Sequence, residues 1–218
     1  MISRVVSAAQ TRRALLDAAA ELLDAGGPEA VTLREVGARS GVSRNAPYRH
    51  FADKEGLLTA VAVESWERLA EALRASGAID ASPSTRLQQA LTAIVKLGRS
   101  RPHLYRLMFV IPENDPGAGA RGASRAQEEF LSIVAALVGE ADARHYGALL
   151  FSSAYGIAGL EISGHLTEAK WQTTPEDLIA TLVAMAADRH PATPTTTRRR
   201  RPPDPRSIAG GLVGETRT

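Results

Sequence analysis

The chain is expected to be all-α, with a small N-terminal helical unit followed by a larger helical body. Three observations carry that expectation. Apolar residues recur at helical spacing through most of the 218 residues, while the period-two alternation of strands is nearly absent. Two short helical patterns flank a tight glycine turn between Thr32 and Lys54. At 44% hydrophobic, the chain has enough apolar material for a core.

Taken in order, Leu15, Ala19, Leu22 and Leu23 form one apolar stripe and predict a first helix over 11–24. Gly26-Gly27-Pro28 ends it. Thr32 starts a second helix, with Glu35 three residues on completing a capping box. Leu33 and Val36 point inward, Gly37 permits a close helix contact, and Gly41 stops the helix by allowing a left-handed backbone. Ser43 is the expected N-cap of a third helix ending near Phe51. Pro47 falls in its first turn, where it removes one helical hydrogen bond. Asp53 caps a fourth helix striped by Leu57, Leu58, Val61, Ser65 and Leu69.

A loop around Gly77 to Pro83 separates this unit from the rest. Further helices are expected near 84–100, 102–110, 123–138, 142–166 and 175–189. Pro102 and Pro175 stand at first turns, where a missing N–H costs least. Thr174 with Asp177 makes a second capping box. Residues Ile111 to Gly122 are rich in Pro and Gly and are expected to loop. Gly117, Gly119 and Gly122 fit a dinucleotide-type glycine pattern, but no strand precedes them, so a flexible loop is the expectation. Residues 191–218, with Arg198 to Arg201, are expected to be a disordered basic tail.

The bulk numbers exclude several classes. With no cysteine there are no disulfides and no thiolate metal sites. No apolar stretch reaches the length of a membrane span, and no secretory signal is expected, so a cytoplasmic protein is anticipated. His103, His145 and His165 show no metal-ligand spacing, and neither metal nor cofactor is expected. The net charge of +2 is unevenly spread. Residues 1–75 balance 10 bases with 10 acids, and the tail carries six bases and two acids. Within 32–54, five bases (Arg34, Arg39, Arg44, Arg49, Lys54) face two acids (Glu35, Asp53). That is a modest footprint for nucleic acid.

The side chains of the third helix say more than its charge. Arg44, Asn45, Tyr48 and Arg49 form an outward polar face. Arg reads guanine and Asn reads adenine in bidentate fashion. A short helix, a glycine turn and a second helix with this face suit insertion into a major groove.

Residues 12–58 resemble the N-terminal domain of the TetR family of bacterial transcriptional regulators. The specific pieces are Gly41-Val42-Ser43 in the turn and Tyr48, His50, Phe51, Lys54, Glu55, Leu57 and Leu58 at the family spacing. The body, through Arg101 to Phe109 and Tyr155 to Glu161, is similar to one subgroup of these regulators. That subgroup often carries Trp-His-Gly where this chain has Ala154-Tyr155-Gly156.

The resemblance implies a three-helix helix-turn-helix DNA-binding domain (9–69) and a C-terminal helical domain (80–190) for ligand binding and dimerisation. Thr32, Ser43, Tyr48, His50 and Lys54 would then hold the DNA, largely through phosphates. Arg44 and Asn45, with Arg49, would meet base edges, and Pro47 falls in the same contact segment. The implied partners are a double-stranded operator, an unknown small-molecule effector and a second copy of the chain. Tyr105, Met108, Phe109, Tyr155 and His165 are the candidate effector contacts. The small-residue segment Ser152 to Gly164 suits a tight core or a dimer seam, and Glu161 on it is expected in a salt bridge. The expected function is a non-enzymatic, ligand-responsive repressor. The alternatives are a sequence-nonspecific DNA binder and a small helical enzyme.

Overall fold

Every regular element among the described residues is an α-helix. The structure, a computed structural model, describes residues 2–77, 81–112 and 115–189; the expected basic tail lies outside them. Helix α1 (Ile2–Ala30) begins well before residue 11. It is interrupted at Gly26 and Gly27, where φ is −150° and +70°. A Cβ on Gly27 would also stand 3.1 Å from the His103 ring, so this break both needs glycine and seats the start of a later helix.

Helices α2 (Leu33–Arg39), α3 (Ala46–His50) and α4 (Lys54–Gly77) complete the N-terminal head. The expected third helix is shorter than its sequence suggests, and Asn45 rather than Ser43 occupies its N-cap. Pro47 has no N–H to give to the Ser43 carbonyl. Ala46 N–H takes that carbonyl instead, at 2.8 Å, in a tighter turn. Asp53 caps α4 as expected, its carboxylate accepting from Gly56 N–H at 2.7 Å.

The body contains α5 (Pro83–Ser100), α6 (Pro102–Met108), α7 (Pro116–Val138), α8 (Glu140–Ile162), α9 (Glu168–Trp171) and α10 (Pro175–Arg189). Two expectations fail here. The Pro/Gly-rich stretch from Pro116 to Gly122 is the start of α7 and not a loop. Pro116 takes the first helical turn. Gly122 lies so close to α4 that a Cβ there would sit 3.1–3.4 Å from Val63. Packing against α4 thus outweighs the weak helix propensity of glycine.

The second failure is α8, which ends at Ile162 instead of 166. Gly164 adopts φ +71°. The N–H groups of Gly164 and His165 then close onto the carbonyls of Glu161 and Leu160 at 3.0 and 2.8 Å, a Schellman-type stop. The short helix α9 follows, held by Trp171 Nε1–H donating to the His165 carbonyl at 2.9 Å. At α10 the expected capping box forms in full. The Thr174 N–H and hydroxyl donate to Asp177 (3.1 and 2.6 Å), and Asp177 N–H returns a bond to Thr174 Oγ1. The side-chain and backbone bonds from Thr174 hold the Asp177 carboxyl below its usual range.

Two cores result. The head core gathers Leu15, Leu23, Val36, Phe51, Leu57 and Val61. The body core gathers Leu87, Leu91, Ile94, Phe130, Val134, Leu150 and Ile179. Fully burying a side chain of this kind is worth about 1.5–3 kcal/mol. Two helices belong to both cores. Helix α4 gives Leu57 and Val61 to the head, then Trp66, Leu69 and Leu73 to the body. Helix α6 gives Leu104 to the head and Tyr105 and Met108 to the body. Arg101, just before α6, also pairs with Asp24 of α1 at 2.7 Å. No helix among the described residues is long and apolar enough to cross a membrane.

Candidate functional site

The head presents α3 with its polar residues outward. Thr32 caps α2 from an extended backbone (φ −131°, ψ 152°), its Oγ1 accepting from Glu35 N–H at 3.1 Å. Only this half of the expected capping box is made, because the Glu35 carboxylate pairs with Arg34. The Thr32 hydroxyl therefore accepts inside the helix and keeps its own hydrogen for an outside acceptor such as a phosphate. Thr32→Ala is expected to lower stability by about 1 kcal/mol through the lost cap and to weaken DNA binding. Thr32→Ser restores both; thermal melts and binding titrations would show it. A melt unchanged by alanine would refute the capping part.

After α2 the chain turns at Gly41 (φ +68°), with open space around it. Arg44 lies in the following turn, outside the helix, and Asn45 at the N-cap makes no side-chain cap bond. Arg44, Asn45 and Arg49 are exposed, and Tyr48 is 57% exposed despite its size. The other basic residues of this neighbourhood are engaged: Arg34 with Glu35, Arg39 with Glu21, and Arg68 with Asp17 and Glu64. No ion pair among the described residues reaches Arg44 or Arg49. The head's +3 segment thus leaves free cations on the face that carries Asn45.

Ser43 is exposed beside them, and His50 is half-buried, tilted against Phe51. Lys54 opens α4 within 3.9 Å of Glu29. Pro47 departs from its assignment. It is buried, and a Cβ on Gly37 would stand 3.0 Å from its ring, so it wedges α3 onto α2 and stays off the exposed polar face. Gly37 thus makes the close helix contact that its sequence suggests.

The body holds a cavity of about 490 Å³ between α4, α6, α7 and α8, within the range of drug-sized ligand sites. Of the five candidate effector contacts, Met108 and Phe109 line it. The other three candidates do not. Tyr105 is buried behind Phe109, ring centroids 5.2 Å apart, and stacks on Tyr155. Burial raises its phenol well above the ordinary value, and its hydroxyl has no hydrogen-bond partner among the described residues. Tyr155 meets Phe109 edge-on at 4.5 Å but lies half exposed outside the cavity. His165 is exposed beyond α8, with Nδ1 3.0 Å from Ser163 Oγ. Its place follows from the early end of α8.

The other walls include Trp66, Phe130 and Phe151, with Gln127 and Arg144 as polar members. Trp66 belongs to the body-facing continuation of the α4 stripe. Its Nε1–H donates to the Met108 carbonyl at 3.1 Å, which ties α4 to α6 at the cavity wall. A smaller cavity of about 270 Å³ shares Met108, Val110, Ile111 and Gly119 and extends to Glu55 and Leu58, in the first turns of α4.

Glu161 behaves as expected, accepting from Arg99 at 2.8 Å, while Arg99 also reaches Glu176 at 3.0 Å. The small-residue segment proves two-sided. Ala154 and Ala158 are fully buried in the body core, whereas Gly156 and Gly159 face open space.

A helix-turn-helix head with unpaired cations, joined through shared helices to a cavity-bearing helical body, defines a DNA-binding regulator with a ligand domain. The comparisons with known proteins agree. Residues 15–61 match the bacterial regulatory proteins of the tetR family, and residues 87–186 match the tetracyclin repressor-like C-terminal domain. A protein of unknown function from Rhodococcus sp. RHA1 shares the fold with TM-score 0.69 and 24% identity, over 83% of this chain and 95% of that one. A TetR-family transcriptional regulator from Streptomyces coelicolor aligns with TM-score 0.60 at 21% identity, over 84% and 98%. The transcriptional regulator FadR from Bacillus subtilis, solved in complex with stearoyl-CoA, aligns with TM-score 0.59 at 13% identity, over 80% and 97%. No curated protein matches. The chain belongs to the TetR family of bacterial transcriptional regulators.

Proposed function

We propose that the chain is a repressor that grips a pseudo-palindromic operator as a homodimer and is released from it by a small-molecule effector. The observation that carries this reading is the coexistence of an unpaired Arg44–Asn45–Arg49 face with an apolar cavity whose wall includes the end of α6. Residues 9–69 act as the DNA-binding domain and 80–190 as the effector and dimerisation domain. Thr32, Ser43, Tyr48, His50 and Lys54 hold phosphates, and Arg44, Asn45 and Arg49 read bases.

The dimer seam runs along α8 and α10. Leu149, Tyr155 and Leu160 on α8 and Met185 on α10 are exposed apolar side chains there. The open Gly156 and Gly159 allow a second helix to approach closely. An effector that enters the cavity displaces Met108 and Phe109 and so biases α6, whose other face is part of the head core. Release then follows from the effector's preference for one of two arrangements. The stearoyl-CoA of the Bacillus subtilis neighbour supports an effector with a large apolar part.

Selection of binding sites from random DNA, with the mass of the free protein measured alongside, tests this. The expected result is a dimer and an inverted repeat whose half-sites lie about 34–36 Å apart. The selected site should bind at least about 10³ times more tightly than random DNA. A monomer, or a ratio near unity, would remove the proposal in favour of nonspecific binding.

A further inference from the structure

The cavity walls carry information about ligand class. The rings of Trp66, Phe109, Phe130 and Phe151 form a connected aromatic lining, with successive centroids 5.2–6.3 Å apart. Small residues such as Ala123 and Gly147 leave the room between them. Among the described lining residues only Arg144 carries a charge, and Gln127 is the one uncharged polar side chain besides Trp66. The Trp66 N–H is already used by the Met108 carbonyl.

Arg144 is exposed on α8, and no ion pair or hydrogen bond among the described residues engages it. This contrasts with Arg99, Arg101, Arg121 and Arg125 of the same body, each of which has a carboxylate partner. An unpaired guanidinium at the edge of an aromatic cavity matches a ligand with an apolar body and a planar anionic end.

We infer that the cavity takes an amphiphilic carboxylate, its apolar body among Trp66, Phe109, Phe130 and Phe151 and its anionic end on Arg144. The inference rests on the reading of this cavity as the effector site and specifies what fills it. A neutral apolar molecule of the same size would fill the aromatic lining equally well but leave Arg144 unused, so charge decides between them.

The test uses the full chain carrying Trp171→Phe, which leaves Trp66 as the only tryptophan, since the chain has two. Four probes are titrated by quenching of Trp66: dodecanoate, dodecanol, biphenyl-4-carboxylate and biphenyl-4-methanol. At least one carboxylate is expected to bind at least about tenfold more tightly than its own alcohol, a difference of about 1.4 kcal/mol. Arg144→Ala should erase that difference without changing alcohol binding, and Arg144→Lys should keep part of it. Which pair shows the effect tells an acyl body from an aromatic one. Circular dichroism confirms folding of both variants, which is expected because Arg144 is exposed.

Equal binding of acid and alcohol, indifference to Arg144→Ala, or no quenching by any probe would overturn the carboxylate assignment. A separate titration of protein–DNA complex with the bound carboxylate addresses regulation. Binding without DNA release leaves the ligand class intact and removes the release mechanism proposed above.

Discussion

Arg44→Ala is expected to remove most of the sequence discrimination while leaving much of the nonspecific affinity. A lost bidentate base contact costs about 1–3 kcal/mol in each half-site. In a dimer both half-sites lose it, so the operator should weaken far more than random DNA. Arg44 is exposed, without an ion pair among the described residues, and lies in the turn ahead of α3, so its removal leaves the head's packing untouched. Arg44→Lys should not restore discrimination, because an ammonium lacks the planar fork. Competition titrations of the selected operator and of random DNA, each at two salt concentrations, would show this. Equal losses on both DNAs would mean that Arg44 touches phosphate only.

Leu104→Ala should produce the largest change in stability. Leu104 is 1% exposed and comes from a body helix, yet belongs to the head core that also holds Leu23 and Phe51. Its truncation leaves a cavity at the joint, at a cost of about 2–5 kcal/mol, a large share of the 5–15 kcal/mol typical of a folded domain. Urea denaturation should show the loss. Leu104→Met, close in volume, should cost less than about 1.5 kcal/mol. A loss under about 0.5 kcal/mol for alanine would show that α6 only rests against the head.

Much of the head could be read from residue order. The break at Gly26-Gly27, the Thr32 cap, the Gly41 turn and the Asp53 cap all stand where the sequence places them. So did the outward face of Arg44, Asn45, Tyr48 and Arg49. The cavity is less legible in the sequence. Met108 and Phe109 line it, whereas Tyr105, Tyr155 and His165 do not. Trp66 lies on α4, far along the chain from the body, and nothing near it in sequence indicates that α7 and α8 will enclose it. Arg144 looks like any solvated arginine until its lack of a carboxylate partner is seen.

The division has a physical basis. Caps, glycine turns and apolar periodicity act over a few residues, so sequence alone determined the all-helical class, most helix starts and the exposed polar face of Arg44, Asn45, Tyr48 and Arg49. Decisions between remote segments needed the folded chain. Val63 of α4 accepts Gly122 so closely that a glycine-rich stretch becomes the start of α7. Pro47, which looked like part of a contact face, turns inward because Gly37 leaves room for its ring. The cavity exists only where four helices fail to fill the space between them, and no local signal encodes such a gap.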